Sequence, residues 1–89
     1  MDVSYGKRFS KDLDAVRNEK KVRENLLKLI NNIKEADSLK TLGGVKKIEG
    51  YSDYFRIKLG DYRLGLRASR NKVELIRFLH RKEIYRRFP

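Results

Sequence analysis

The stretch Tyr54-Phe-Arg-Ile-Lys-Leu-Gly-Asp-Tyr-Arg-Leu-Gly-Leu-Arg67 decides how the rest of the chain is arranged. Side chains alternate between faces along a strand. Read as two strands around Gly60-Asp61, the stretch sets Phe55, Ile57 and Leu59 on one face and Tyr54, Arg56 and Lys58 on the other. A two-residue turn fixes the register. Leu59 then faces Tyr62, Lys58 faces Arg63, Ile57 faces Leu64, Arg56 faces Gly65 and Tyr54 faces Arg67. One face is apolar, and the other carries Arg56, Lys58, Arg63 and Arg67. Like charges directly opposite each other are destabilising. The arrangement therefore points to an anionic partner, the bland alternative being a solvated face of a lysine-rich protein. A bulge near Gly65 would rearrange the pairs.

The 89 residues suit one domain, residues 1–89, with a single modest core. The chain has no cysteine, which excludes a disulfide framework or thiolate metal site, and its one histidine, His80, argues against a histidine-built metal centre. No metal and no cofactor are expected. No apolar run approaches membrane-spanning length and no signal-peptide core is present, so no membrane association is expected and the default location is cytoplasmic. The net charge of +11 is unevenly spread. Residues 1–44 hold 10 Lys/Arg against 7 Asp/Glu, and residues 45–89 hold 13 against 5. The excess sits with the hairpin, and such a field suits nucleic acid, anionic lipid or an acidic protein.

Outward from the hairpin, alternation over Val3 to Phe9 predicts a first strand, followed by Ser10 as the N-cap of a short helix containing Leu13 and Val16. Asp12 and Asp14 would sit in its first turns, favoured by the helix dipole. Val22, Leu26, Leu29, Ile30 and Ile33 mark the buried face of a second helix ending near Ala36-Asp37, with Leu27 widening the stripe. Ser38 to Gly50 reads as a connector anchored by Leu39 and Leu42, in which Lys46, Lys47 and Ile48 form a short strand or turn. The Gly43-Gly44 pair lacks the remaining residues of a phosphate loop. Ser69 to Lys72 is the next turn and Val73 to Leu79 the last strand. Two- and three-residue loops there give opposite facings for Arg77, and the sequence leaves both open. A helical turn or two over residues 81–87 would set Arg81 and Tyr85 on one face and turn Ile84 and Phe88 inward. The fold class is α+β: an N-terminal strand and helical hairpin packed on an antiparallel meander, with the basic face left open.

Clustered cations with interleaved tyrosines fit an RNA backbone and unpaired bases. Tyr62 faces the core in this register, so packing is its simpler role. RNA can also be cleaved without a metal, because the ribose 2′-OH is an internal nucleophile. The protein then supplies proton transfer and cations for the charge building on the phosphoryl oxygens. Arg56, Lys58 and Arg63 offer the charge, and Tyr85 or His80 the proton transfer. Surrounding cations would lower the phenol pKa of Tyr85.

Arg56-Ile-Lys-Leu-Gly-Asp-Tyr-Arg63 followed by His80-Arg-Lys-Glu-Ile-Tyr85 resembles the RelE branch of the RelE/ParE toxin superfamily, over nearly the whole chain. The resemblance implies a RelE-like fold and the toxin of a type II toxin–antitoxin pair. It implies cleavage of mRNA in the ribosomal A site, leaving a cyclic or 3′-phosphate and a 5′-OH, and neutralisation by a cognate, acidic antitoxin. Carried over by motif, Arg56 and Lys58 hold the phosphate, Arg63 stabilises the transition state, Arg81 serves the leaving group or phosphate, and Tyr85 is the general base. His80 stands where some related toxins place a catalytic histidine, and Tyr54, Arg67, Lys82 and Arg86 are expected RNA contacts. Arg56 departs from the lysine of RelE itself; it keeps the charge but does not readily shuttle a proton. Two other readings stay open: a ParE-like inhibitor of DNA gyrase without nuclease activity, and a non-catalytic RNA-binding module.

Overall fold

The computed structural model describes residues 1–89. The chain runs β1 (Asp2–Tyr5), α1 (Lys7–Ala15), α2 (Lys20–Glu35), a 3₁₀ turn at Leu39–Thr41, β2 (Val45–Lys47), β3 (Tyr54–Leu59), β4 (Tyr62–Ser69), β5 (Lys72–His80) and α3 (Arg81–Arg87). The strands form one sheet in the order β1-β5-β4-β3-β2. β3 and β4 pair in the expected register, from Tyr54 opposite Arg67 to Leu59 opposite Tyr62. Gly60 supplies the turn with a φ of 60°, which lies in the left-handed region that glycine enters without a Cβ penalty. β2 extends the meander, and β1 returns to pair parallel with β5, making the sheet mixed rather than purely antiparallel.

The N-terminal boundaries differ from the expectation. The first strand stops at Tyr5, Gly6 is the N-cap of α1, and Ser10 lies inside the helix with its hydroxyl donating to the Gly6 carbonyl. The reason is hydrophobic periodicity: Phe9, Leu13 and Val16 follow the i, i+4, i+7 spacing of a helix, and Phe9 is completely buried. Asp12 serves as a buried ion-pair partner rather than as an exposed first-turn charge. On α2, Leu26, Ile30 and Ile33 enter the core, whereas Leu27 is 60% exposed. It stands about 100° round the helix from Leu26, off the stripe.

One face of the sheet packs on α1 and α2 through Ile57, Leu64, Leu66, Val73, Leu75 and Phe78. Leu75 and Phe78 are three residues apart, and strict alternation would separate them. A bulge resolves the conflict: Gly65 lies opposite Arg77 but Leu66 opposite Leu75, so Ile76 is the extra residue. Arg70-Asn71 forms a two-residue turn, and Arg77 ends 5% exposed with its guanidinium on Asp12 of α1.

The opposite face, expected to be open, is partly covered by α3. Ile84 and Phe88 turn inward, as their spacing implied, and join Leu79 in a second small core with Ile48, Tyr54 and Ile76 at its edge. Gly65 makes this possible, since a Cβ there would lie 2.9 Å from the Phe88 ring atoms. Gly65→Ala is expected to push α3 off the sheet and to cost about 1–3 kcal/mol of stability, read as a lowered denaturant midpoint. An unchanged midpoint would show that Phe88 can shift without loss.

Candidate functional site

Three adjacent strands build a cationic floor. Lys46 of β2 lies opposite Arg56 of β3, and Lys58 of β3 opposite Arg63 of β4. Gly44 closes one edge, accepting a hydrogen bond from the Lys58 backbone N–H at 3.0 Å. α3 forms the wall. Because Ile84 and Phe88 are anchored in the small core, Tyr85, next to Ile84, projects away from it and is 68% exposed. Its ring stacks on the Arg56 guanidinium, whose carbon lies 4.5 Å from the ring centroid.

Two cations are held in place by their surroundings. Arg63 Nη1 donates to the carbonyls of Gly60 and Tyr62, both at 2.8 Å, so the hairpin turn fixes the guanidinium direction. Arg56 is half-buried between its neighbouring strands and Tyr85, and its Nη1 is buried without a hydrogen-bond partner. An unsatisfied, desolvated guanidinium nitrogen is costly unless an anion completes it. Gly44, Lys46, Arg56, Lys58, Arg63 and Tyr85 line one recess of about 180 Å³. A second recess of about 440 Å³ shares Lys46, Arg56 and Tyr85 and runs on past Lys47, Ile48 and Glu49 to Phe88.

The same charges act on the phenol. The Arg56 guanidinium beside Tyr85 holds its pKa below the usual phenol range, and the positive charges of Arg63 and Lys46 add to the effect; desolvation opposes them and loses. The arrangement is a lowered-pKa phenol over four cations, a combination with the charge to hold an anion and a group able to accept a proton beside it.

The structure thus brings Arg56, Lys58, Arg63 and Tyr85 together. Arg81 is the exposed first residue of α3, its backbone N–H donating to the Asp61 carbonyl at 2.7 Å, and it is in the wall of neither recess. His80 is placed elsewhere. It pairs with Tyr62, while its neighbour Leu79 pairs with Arg63, so it lies on the helix-covered face. There its Nδ1 accepts the Lys82 backbone N–H at 3.2 Å, capping α3, and its ring meets Tyr62 edge-on. Tyr62 itself stacks on Phe78 at 5.0 Å, and burial, reinforced by the hydrogen bond its hydroxyl donates to Glu19, raises its pKa. Among the expected RNA contacts, Tyr54 is half-buried between Tyr51 and Phe88. Arg67 is paired with Asp53 at 2.9 Å, Arg86 with Glu83 at 3.2 Å, and Lys82 is exposed on the first turn of α3.

Lys46 is the site residue that sequence reasoning left unassigned. Its signal was present: Val45 and Lys46 alternate as strand residues do, and pairing with β3 carries Lys46 onto the Arg56 face.

Comparison with known proteins agrees with this architecture. The family model for the ParE toxin of the type II toxin–antitoxin system parDE matches residues 3–85. Toxin RelE3 of Methanocaldococcus jannaschii is 38% identical over 90 residues, with all of both chains covered. The RelB–RelE antitoxin–toxin complex from Methanococcus jannaschii contains a chain that superposes with a TM-score of 0.79 at 35% identity, covering 97% of this chain and 99% of that one. YafQ from Escherichia coli shares the fold at a TM-score of 0.76 and 17% identity, over 94% of this chain and 97% of its own. The chain belongs to the RelE/ParE superfamily and is a RelE-like toxin of a type II toxin–antitoxin system.

Proposed function

We propose that this toxin is an mRNA endonuclease that acts on the ribosome and cleaves by attack of the ribose 2′-OH. The Tyr85–Arg56 stack over the cationic floor carries the reading. In the proposed step the Tyr85 phenolate takes the 2′-OH proton and the 2′-oxygen attacks phosphorus. The bond from phosphorus to the 5′-oxygen breaks, leaving a 2′,3′-cyclic phosphate and a 5′-OH. Arg56, Arg63 and Lys46 face the charge that builds on the phosphoryl oxygens. The Lys58 ammonium supplies the proton that the departing 5′-oxygen needs, and Arg81, outside both recesses one turn before Tyr85 on α3, meets a phosphate next to the scissile one. The chemistry is complete with side chains alone, without a cofactor. Tyr54, Arg67, Lys82 and Arg86 extend the contact with RNA beyond the scissile phosphate.

The partner that silences the toxin is a cognate antitoxin with an acidic segment that covers this basic face. The net charge of +11 and the RelB–RelE assembly of the Methanococcus jannaschii relative support it. Action on the ribosome places the protein in the cytoplasm; no helix is long and apolar enough to cross a membrane.

A pH–rate profile of RNA cleavage tests the mechanism. A general base works deprotonated and the Lys58 acid works protonated, so the profile should be bell-shaped, its rising limb set by an apparent pKa below the usual phenol value of 10.0, the direction of the Tyr85 shift. Arg56→Gln removes the largest cause of that shift and should move the rising limb to higher pH. A profile flat in wild type would exclude Tyr85 as the base. The ParE name of the matching family model favours a second reading, a gyrase inhibitor. That reading predicts blocked DNA supercoiling and no new 5′-OH ends.

A further inference from the structure

The β2–β3 loop, residues 48–53, is built more firmly than a connector requires. The Ile48 backbone N–H donates to the Tyr54 carbonyl at 2.9 Å, and the Tyr51 N–H returns to the Ile48 carbonyl at 3.2 Å. Gly50 takes a φ of 86° to allow the reversal, and Asp53 anchors the far end on Arg67. The result holds Tyr51 edge-on to Tyr54 at 5.5 Å and 48% exposed. Lys47, Ile48, Glu49, Gly50, Tyr51 and Ser52 line a recess of about 530 Å³ that shares Lys47, Ile48 and Glu49 with the recess under Tyr85. The two recesses therefore adjoin along Lys47, Ile48 and Glu49, one reaching the Tyr85 phenol and the other the exposed Tyr51 ring.

Glu49 is the one acidic residue in the walls of these recesses, and its carboxylate makes no ion pair or hydrogen bond in the protein. A carboxylate in a channel for RNA repels phosphate, so its use lies with base edges. It accepts from exocyclic amino groups, which cytosine, adenine and guanine carry and uracil lacks. An exposed ring held edge-on from behind offers a face on which any base can stack.

We propose that the β2–β3 loop is a base-reading subsite: Tyr51 stacks a nucleotide adjacent to the scissile phosphate, and Glu49 selects an amino-bearing base there over uracil. The inference deepens the endonuclease reading and rests on it for the position of the nucleotide, but base binding by the loop is separately measurable.

Two assays on the full chain separate the claims. The first sequences new 5′-OH ends from a random-sequence mRNA pool translated with the toxin. Wild type should show uracil depleted at one position flanking the cut. Glu49→Lys, which replaces an acceptor by a donor, should reverse that depletion, and Tyr51→Ala should lower cleavage about tenfold, as loss of one stacked base does. The second measures anisotropy of labelled oligo(A), oligo(C) and oligo(U). Wild type should bind oligo(U) more weakly than the other two, and Glu49→Lys should remove the difference. If wild type makes no 5′-OH ends but shows the oligonucleotide preference, the endonuclease reading falls and the base-reading loop stands. If wild type cleaves and both variants keep its base pattern and rate, the loop is not a reading subsite. Equal binding of all three oligonucleotides by wild type would also overturn it.

Discussion

Tyr85→Phe is expected to lower the single-turnover rate of RNA cleavage by about 10²–10⁴-fold, the range contributed by a positioned general base. Phenylalanine keeps the ring, so the stack on Arg56 and the anchoring of Ile84 and Phe88 survive, and the phenol oxygen alone is lost. RNA affinity should change little, because the floor of Lys46, Arg56, Lys58 and Arg63 remains. The split between rate and binding is the informative part. A matching loss of both would mean that Tyr85 holds the substrate by a hydrogen bond rather than moving a proton. The residual rate in Tyr85→Phe should also lose the rise with pH that the lowered phenol pKa imposes on wild type.

Asp12→Asn is expected to destabilise the fold by about 3–5 kcal/mol, the cost of leaving one partner of a buried ion pair alone. Asp12 receives Arg77 Nε at 2.9 Å and Nη2 at 3.1 Å, and its Oδ2 also accepts the Phe78 backbone N–H at 2.9 Å. The two residues are 9% and 5% exposed, so water cannot replace the carboxylate. Hydrogen bonding to Asp12 keeps the Arg77 guanidinium pKa raised against the desolvation that would lower it, so Arg77 remains charged and must be matched. In thermal unfolding the change corresponds to a Tm lower by at least about 12 °C for a domain of this size. The double change Asp12→Leu with Arg77→Met should recover only part of that loss, since it leaves no stranded charge but takes the acceptor from the buried Phe78 N–H. A Tm unchanged in Asp12→Asn would show that the pair contributes nothing net.

The hairpin was legible in the sequence because its signal is local. Gly60-Asp61 sets a two-residue turn, alternation then sets the faces, and the pairing from Tyr54 to Arg67 follows without tertiary information. The stripe on α2 was legible for the same reason, apart from Leu27. What lay beyond reach depends on contacts distant in sequence. The bulge at Ile76 exists because Leu75 and Phe78 must both reach the helix-covered core, and no turn residue announces it. The Asp12–Arg77 pair joins positions 65 apart, so Asp12 looked like a helix-dipole charge and Arg77 could face either way. At the site, the cations of the hairpin and the spacing of Ile84, Tyr85 and Phe88 were readable. The coverage of the basic face by α3 was not, because it needs the missing Cβ of Gly65 as a seat for Phe88. His80 illustrates the opposite error: chemical type suggested proton transfer, while strand register put its ring on the far face as a helix cap.

In the proposed mechanism Tyr85 and the cations around Arg56 act on a single RNA phosphate. Arg63 tests it, because its guanidinium is fixed by the Gly60 and Tyr62 carbonyls of the hairpin turn rather than by Tyr85. Primer extension on mRNA translated with the toxin, wild type beside Arg63→Ala, reads the outcome. The expected result is a set of discrete new 5′-OH ends with wild type that falls by about 10²–10³-fold in Arg63→Ala, the loss seen when one preorganised charge donor is removed. No new ends with wild type, or equal ends from both proteins, would contradict it.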